Sequence, residues 1–359
     1  MSNQLLVYEW MIPGGEKNFG DLLSKPIIEK ILNEKVVQVS DENANFLGIG
    51  SVLDPINETF KDVKWIWGSG YLREGESMNR DDVTVIAARG KLTQARLGSD
   101  VPLGDPGLLV SKFFPKSEKS DDVVGVVSHF LDRDDLAFEK WKADSNFRFI
   151  DVNQNPEQVI KEITSCKIIV STSLHGLIVA DSFGIPNFWA KLSPNVGTYK
   201  FMDYYSGVGK KVEDSVVDDI FEKDFEELQI FAKNWIPVNG LKRIQDDLIK
   251  SLRNSIGKIK IDGEEEGLYH VAINDFNLPN RDLNWVRLHT NRRKSRNVAE
   301  FSKYRRVLKK KGLSELRNTE HYSDWVRPTN LRTKYKFTAL SFCRDIKHSL
   351  SNVVKRAEV

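Results

Sequence analysis

Short apolar runs alternate with amphipathic stretches through most of the chain, and Gly, Asn or Asp residues separate them. A short apolar run bounded by turn residues predicts a buried strand, and a periodic stretch between two such runs predicts a crossover helix. The pattern therefore predicts an α/β fold built on parallel sheets. The predicted strands are Leu5–Trp10, Phe46–Ile49, Lys64–Trp67, Val83–Ala87, Val123–Val127, Phe147–Val152, Lys167–Val170 and Pro186–Trp189.

Helix signals fall between these strands. Asn155, Pro156 and Glu157 form a helix start, with a cap, a proline in the first turn and a carboxylate facing the helix dipole. The hydroxyl residues at 171–173 are expected to cap a helix that Gly184 ends, which places His175 in its first turn. The predicted helices are Leu22–Leu32, 156–165, Leu174–Phe183, Val217–Ala232 and Leu241–Ile256.

Two breaks in this pattern predict the domain limits. A polar stretch at 115–122 separates two series of alternating strands and helices, and an acidic, glycine-rich stretch at 262–267 follows the second series. We therefore predict an N-terminal domain over residues 1–114, a second domain over 123–257 and an extension over 258–359.

Charge divides the chain in the same way. Residues 280–359 hold 21 Lys and Arg against 7 Asp and Glu, whereas the remainder holds 32 against 44. This split is typical of an acidic body with a basic extension, and no nucleic-acid motif accompanies it, so nucleic acid is not a predicted partner. The N-terminus lacks the features of a secretory signal and no apolar run is long enough to span a bilayer, so we expect a cytoplasmic protein.

Glycine-rich loops follow the first three predicted strands, at 14–21, 48–51 and 68–70. Ligands of open α/β sheets bind beyond the carboxyl ends of strands, where glycines let backbone approach the ligand. Repeated loops favour an anion or sugar cleft, although each loop alone is more often a tight turn. The first loop lacks dinucleotide spacing, which disfavours an NAD enzyme. The two cysteines, Cys166 and Cys343, suggest neither a disulfide framework nor a metal site, and no metal is predicted.

Two histidines are candidates for chemistry at this cleft. His175 opens an otherwise apolar helix, and His129 ends the first strand of the second series. A titratable ring at a strand-to-helix junction favours a role in the cleft. The alternatives are that His175 caps its own helix and that His129 is a ring exposed at a strand end.

These segments resemble the polysaccharide pyruvyl transferase family. The resemblance rests on SLHGLIVADSFGIP at 173–186, supported in order by NFGD at 18–21, GIGS at 48–51, WGSG at 67–70, ARGKLTQARLG at 88–98, LGDPGLL at 103–109, VGVVSHFLD at 124–132 and KFMDYY at 200–205. It implies two Rossmann-like domains similar to B-type glycosyltransferases, with the active site between them. It also implies phosphoenolpyruvate as co-substrate, without a further cofactor, and a pyruvate ketal formed on two hydroxyls of a sugar.

The resemblance also assigns candidate residues. Asp21 and His175 match the family's acidic residue and histidine, while Ser173, followed by Leu174, stands where relatives often carry Arg or Lys. We therefore expect Arg89 or Lys200 to supply a cation for the donor, with Lys91 and Arg96 as alternatives. The remaining predicted binding residues are His129, Gly50, Ser51, Gly68 and Ser69.

Roles follow from the chemistry of the donor. The planar fork of Arg89 suits a carboxylate or phosphate, and His175 beside a phosphate is expected to be protonated and to act as the acid. Asp21 is the candidate base or cation stabiliser, with helix capping as its alternative. Asp105 is interpreted as a turn residue. The aromatic group Tyr199, Phe201, Tyr204 and Tyr205 is either core or a stacking surface for the acceptor.

Two other functions stay open, a nucleotide-sugar-dependent glycosyltransferase and a non-catalytic glycan-binding protein. The basic extension predicts attachment to an anionic membrane at its cytoplasmic face, where a lipid-linked acceptor would lie. Its alternative is a helix packed on the protein body.

Overall fold

Two parallel β-sheets form the framework of the protein. The computed structural model describes residues 5–10, 18–192 and 196–256. Within them, one sheet has five strands and the other four, and every strand pair is parallel. The predicted α/β class with parallel sheets is confirmed. The extension predicted at 258–359 lies outside the described residues.

The first sheet has the strand order β2-β1-β3-β4-β5. Its strands are β1 (Leu6–Tyr8), β2 (Val37–Val39), β3 (Phe46–Leu47), β4 (Trp65–Trp67) and β5 (Thr84–Ala87). Four of them lie within the predicted apolar runs. The prediction missed β2, an edge strand in which only Val39 is buried, because its sequence Val-Gln-Val gives too short an apolar signal.

The second sheet has the order β7-β6-β8-β9. Its strands are β6 (Asp121–Val127), β7 (Phe147–Ile150), β8 (Cys166–Ser171) and β9 (Asn187–Trp189). All four were predicted, since strands buried on both faces read as continuous apolar runs.

Helices connect these strands. They are α1 (Ser24–Leu32), α2 (Lys91–Leu97), α3 (Val110–Phe113), α4 (Glu139–Lys142), α5 (Pro156–Ser165), α6 (Leu174–Phe183), α7 (Tyr199–Val208), α8 (Phe225–Lys233) and α9 (Leu241–Ile256). The predicted bounds of α5, α6 and α9 are confirmed. The long helix predicted from Val217 is wrong, because Asp224 and Glu227 form a capping box that starts α8 at Phe225.

The start of α6 differs from the expected cap. Ser173 occupies the N-cap position, but its side chain makes no capping bond. Instead the Ser173 N–H donates to Oγ of Ser171 at 3.0 Å. The hydroxyl of Ser171 therefore stabilises the turn before the helix. The Ser173 side chain does not cap the N–H groups in the first turn of α6.

Helix α9 follows the second sheet in sequence and packs on the first sheet. The indole Nε1 of Trp67 donates to the carbonyl of Leu248 at 3.1 Å, and Nε2 of Gln245 donates to the carbonyl of Leu108 at 2.7 Å. Leu248 and Leu252 are fully buried there. The predicted domain limits at 114 and 257 stay a prediction, but the packing around Trp67 includes residues from beyond the second sheet.

Candidate active site

Four polar side chains from separate elements come together where strands of both sheets end. Asp21 begins a short 3-10 helix (Asp21–Leu23) after β1, His129 follows β6, His175 lies in the first turn of α6, and Lys200 lies in the first turn of α7. The charge of Lys200 shifts the pKa of each of the other three. The structure therefore brings together both predicted catalytic residues and two of the predicted binding residues.

His175 is packed tightly against the segment that carries Asp21. Its side chain is 8% exposed, and a Cβ added at Gly20 would lie 1.9 Å from its Nδ1. Its Nε2 is buried and has no hydrogen-bond partner among the described residues. A buried polar atom without a partner costs about 1–3 kcal/mol, which makes Nε2 a candidate atom for hydrogen bonding in the site.

The protonation of His175 differs from the expectation. Burial lowers its pKa to about 3, and the charges of Lys200 and Arg89 add to this effect. The imidazole is therefore neutral at pH 7, because burial disfavours its charged form and the charges of Lys200 and Arg89 act in the same direction. The expected charged form depended on a phosphate, and the protein alone does not supply that anion.

Asp21 is a buried carboxyl without a capping role. It is 5% exposed, its side chain accepts a hydrogen bond from the Asn18 amide, and it makes no bond to a helix N–H among the described residues. The capping alternative is therefore wrong. Burial raises the pKa of Asp21 to about 8, although Lys200 opposes the rise. Asp21 is accordingly protonated at pH 7 and is a potential proton donor.

Lys200 provides the cation nearest these groups. It is 6% exposed, and its Nζ lies 5.4 Å from the centre of the Phe201 ring. Burial lowers its pKa to about 8, with a further lowering from Arg89 and an opposing effect from Asp21. The ammonium is still mainly charged at pH 7. Its ammonium makes no direct hydrogen bond or ion pair to the described residues, and the buried Asp132 acts with Asp21 to favour its charged form.

Arg89 lies behind this group, with its guanidinium fully buried. Its Nε donates to Oδ2 of Asp203 at 2.9 Å, while its two terminal nitrogens donate to Oγ of Ser51 at 2.5 Å and to the carbonyl of Tyr71 at 2.6 Å. The predicted fork therefore contacts protein acceptors. These contacts favour a positioning role, with the charge of Arg89 reaching His175 and Lys200 through space.

The glycine loops serve different purposes. Gly50 has a φ of +123°, and a Cβ there would lie 2.3 Å from Oδ1 of Asp21, so this loop closes on the carboxyl. Gly68, with a φ of +76°, packs against Pro106, and Ser69 is fully buried and donates to the carbonyl of Gly48. Gly50 and Ser51 thus lie beside the site, whereas Gly68 and Ser69 hold the neighbouring loops together.

The two residues before His175, Ser173 and Leu174, have different surroundings. Leu174 is 3% exposed and belongs to the main hydrophobic core. Ser173 is 8% exposed, and its hydroxyl is not used for capping. A hydroxyl at this position supplies no charge, and of the two cations that act on His175, Lys200 has the larger effect.

His129 stands at the partly exposed side of the site. Its backbone N–H donates to Oγ1 of Thr172 at 2.7 Å, which ties the end of β6 to the end of β8. Its Nδ1 accepts from the N–H of Leu131 at 3.3 Å, so the neutral ring carries its proton on Nε2. Burial and the charges of Lys200 and His175 hold the pKa of His129 well below its usual value.

Glu9 and Asp203 are buried carboxyl groups that the sequence analysis did not identify. Glu9 follows β1, is 5% exposed and accepts from the N–H of Lys25 at 2.8 Å; burial raises its pKa to about 7. Asp203 on α7 is fully buried against Arg89. A carboxylate inside an apolar run was the signal for Glu9. Asp203 gave no such signal, because its partner lies 114 positions away.

Other expectations can be assigned directly. The side chain of Asp105 accepts from the N–H of Gly107 at 2.8 Å, so its interpretation as a turn residue is confirmed. Phe201, Tyr204 and Tyr205 are fully buried, so they belong to the core and not to a stacking surface. Among the described residues, no three His, Cys, Asp or Glu side chains are grouped to hold a metal ion.

A group of buried titratable side chains with shifted pKa values, set between two parallel sheets, is typical of an enzyme site. The sequence matches a known protein family. The model of the family described as polysaccharide pyruvyl transferase matches residues 11–190, and the chain belongs to this family.

Two individual proteins are also similar to the chain. The chain is 32% identical over 213 residues to the uncharacterized protein L143 of Acanthamoeba polyphaga mimivirus, covering 54% of this chain and 71% of that protein. It is 26% identical over 211 residues to the succinoglycan biosynthesis protein ExoV of Rhizobium meliloti (strain 1021), covering 56% of this chain and 64% of that protein. None of the described helices has both the length and the apolar character needed to cross a membrane.

Proposed function

We propose that the protein transfers the enolpyruvyl unit of phosphoenolpyruvate to a sugar and closes it as a pyruvate ketal on two hydroxyls. The acceptor would be a polysaccharide or its lipid-linked precursor, in keeping with the family and with the role of ExoV in succinoglycan biosynthesis. The observation that carries the proposal is the buried ammonium of Lys200, which makes no direct ion pair with the described residues and acts electrostatically on both Asp21 and His175, with Asp132 also close to it. We also propose that the two sheets are Rossmann-like halves of the B-type glycosyltransferase kind.

Lys200 would bind the phosphate or carboxylate of phosphoenolpyruvate, with no metal or further cofactor. A proton must then reach the methylene carbon, which forms a methyl group and leaves positive charge on the neighbouring carbon. The first sugar hydroxyl attacks that carbon and loses its proton, and phosphate departs as its C–O bond breaks. The second hydroxyl then attacks and closes the ketal, releasing a second proton.

The protonation states of Asp21 and His175 suggest how these protons move. Asp21, protonated at pH 7, would supply the proton to the methylene carbon, and neutral His175 would take the proton from the first hydroxyl. His175 would then pass that proton to the departing phosphate, and the second hydroxyl would restore Asp21. These roles exchange those expected from the sequence.

The test is to incubate the full chain with phosphoenolpyruvate and a panel of acceptor glycans. We expect release of inorganic phosphate together with a glycan heavier by one pyruvate less one water, and loss of both in Lys200→Ala. UDP-glucose and UDP-galactose serve as donor controls. Turnover of either nucleotide sugar without consumption of phosphoenolpyruvate would identify a glycosyltransferase, and glycan binding without turnover of any donor would identify a binding protein.

A further inference from the structure

Three aromatic rings meet where one strand of each sheet ends. Trp10 follows β1, and Phe130 follows β6; their ring centroids are 5.7 Å apart with planes inclined at 39°. The ring of His129 lies 4.5 Å from that of Phe130 at 33°. These three residues, called here the aromatic cluster, bring the carboxyl end of β1 in one sheet next to the carboxyl end of β6 in the other.

The aromatic cluster stands apart from the hydrophobic core. All three of its residues are partly exposed. Trp10 rests with part of its surface on the core of the first sheet, whereas Phe130 belongs to none of the hydrophobic clusters formed by the described residues. Leaving apolar surface in water costs about 25 cal/mol per Å². Aromatic rings held on loops at such a cost are typical of binding surfaces.

The position of the aromatic cluster relates it to the acid–base group. His129 is close enough to Lys200 and His175 for both to lower its pKa. Its backbone bond to Thr172 and the Nδ1 bond from Leu131 fix the ring, so that its Nε2–H is directed away from its own loop. The cluster therefore forms a wall beside the groups assigned to the chemistry.

A hexopyranose has the properties that match this wall. One face of the sugar ring presents C–H groups with partial positive charge, which the negative face of an aromatic ring attracts, and its rim carries hydroxyls that need hydrogen-bond partners. We propose that the aromatic cluster is the subsite for the acceptor sugar, with Trp10 and Phe130 against its C–H face and His129 Nε2–H donating to a hydroxyl. This inference rests on the proposed function, since it names the position of the acceptor in the same site.

Saturation-transfer NMR on the full chain tests the inference without turnover. Methyl β-D-galactopyranoside, methyl β-D-glucopyranoside and methyl α-D-mannopyranoside are titrated one at a time. We expect at least one to bind with its C–H protons saturated from aromatic side chains. Phe130→Leu should weaken that binding about tenfold, a loss of about 1.4 kcal/mol, while Phe130→Tyr should retain it. Phe231→Leu is the control, because Phe231 is an exposed ring, 39% exposed, that lies on α8 outside the cluster.

The outcomes separate this inference from the proposed function. Absence of binding by all three glycosides, or equal binding by wild type, Phe130→Leu and Trp10→Leu, would overturn the acceptor subsite. Binding of phosphoenolpyruvate measured on the same samples is expected to be unchanged in Phe130→Leu. A glycoside that depends on the cluster in a protein that does not consume phosphoenolpyruvate would support the subsite and reject the pyruvyl transfer.

Discussion

Burial gives Asp21 and His175 opposite responses to pH, because it disfavours the charged form of each. The pKa of Asp21 is raised from 3.8 to about 8, so its contribution to stability is full below pH 3.8 and is lost as the pH rises through about 8. The pKa of His175 is lowered from 6.5 to about 3, so its contribution is present above pH 6.5 and is lost as the pH falls towards 3. Between pH 6.5 and 7.5, the titration of Asp21 therefore changes the free energy of unfolding more than the titration of His175 does.

The resulting prediction concerns the free energy of unfolding, measured with urea at pH 6.5, 7.0 and 7.5. We expect it to fall as pH rises, with Asp21 alone contributing up to about 1.4 kcal/mol per pH unit, and expect Asp21→Asn to reduce the slope. Glu9 contributes in the same direction up to its pKa of about 7, so the comparison is between variant and wild type. Asp82→Asn is the control, because the pKa of this exposed carboxyl is lowered by Arg80 and Lys64 and it titrates well below the window. An unchanged slope in Asp21→Asn would show that Asp21 is already ionised.

His175→Gln should abolish most of the turnover and preserve the fold. Glutamine has a similar size and fills the space against Gly20, but it cannot carry a proton between two groups. General acid–base catalysis contributes about 10²–10⁴ in rate, so a loss of that size is expected in phosphate release, with an unchanged melting temperature. A folded variant with near-normal turnover would transfer the role to His129.

The sequence predicted part of this site at the level of single residues. His175, Asp21 and Lys200 could be found because they stand in recognisable motifs at strand or helix ends. The direction in which Arg89 points could not, because Asp203 and Tyr71 come from distant parts of the chain. The protonation states were also beyond the sequence, since they depend on burial by both sheets.

The approach of the Asp21 segment to α6 requires a glycine between them. Gly20→Ala would place a methyl group 1.9 Å from Nδ1 of His175, so the imidazole or the helix must shift. We expect a loss of stability of about 1–3 kcal/mol and a fall of more than tenfold in turnover. Gly75→Ala is the control, because its nearest neighbour would be Arg96 at 3.4 Å. Equal activity of the two variants would contradict the close packing at His175.

A buried carboxylate on α7 holds this helix against α2. Asp203 accepts from Nε of Arg89 and from both the N–H and the hydroxyl of Thr93, at 2.9, 2.8 and 2.7 Å. Since Lys200 lies one turn earlier on α7, Asp203 also fixes the cation of the site.

Removing the Asp203 carboxylate should therefore lower the free energy of unfolding. Asp203→Ala leaves Arg89 buried without its partner, and we expect a loss of about 3–5 kcal/mol in urea unfolding. Asp246→Ala breaks a surface pair with Lys112 and should cost about 1 kcal/mol or less. The double variant Arg89→Met and Asp203→Leu should recover much of the lost stability, because it removes both charges. Equal losses for the buried and surface pairs would refute this account of α7.

Element prediction succeeded where local sequence and burial agree. Eight strands were predicted from apolar runs, and α5 was predicted from its Asn155 cap, whose side chain accepts from the N–H of Glu157. Helix α7 was not predicted, because Thr198 at its N-cap makes no side-chain capping bond and its buried face includes a charged pair. Tertiary contacts stabilise such a helix, and they are invisible along the sequence.

At the scale of the whole molecule, the basic extension is predicted to attach the protein to anionic membranes. Each basic residue near such a surface contributes about 1 kcal/mol. Replacing Lys309, Lys310 and Lys311 by Glu in the full chain should strongly reduce sedimentation with phosphatidylserine vesicles at low salt. Vesicles of phosphatidylcholine alone are the control. Equal sedimentation of wild type and variant, or none at low salt, would leave the extension as a structural part of the protein.

The return of α9 to the first sheet affects how the protein is made. The hydrogen-bond partner of the Trp67 indole lies 181 positions further along the chain and is therefore synthesised later. At a synthesis rate of about 5–20 residues per second, that interval lasts roughly 10–35 s on the ribosome. Until α9 is made, the nascent chain lacks the residues of this helix that cover Trp67 and Leu108 in the folded protein. Chaperones that shield these residues would raise the yield of the protein, and any stop of translation before Leu241 would release a chain prone to aggregate.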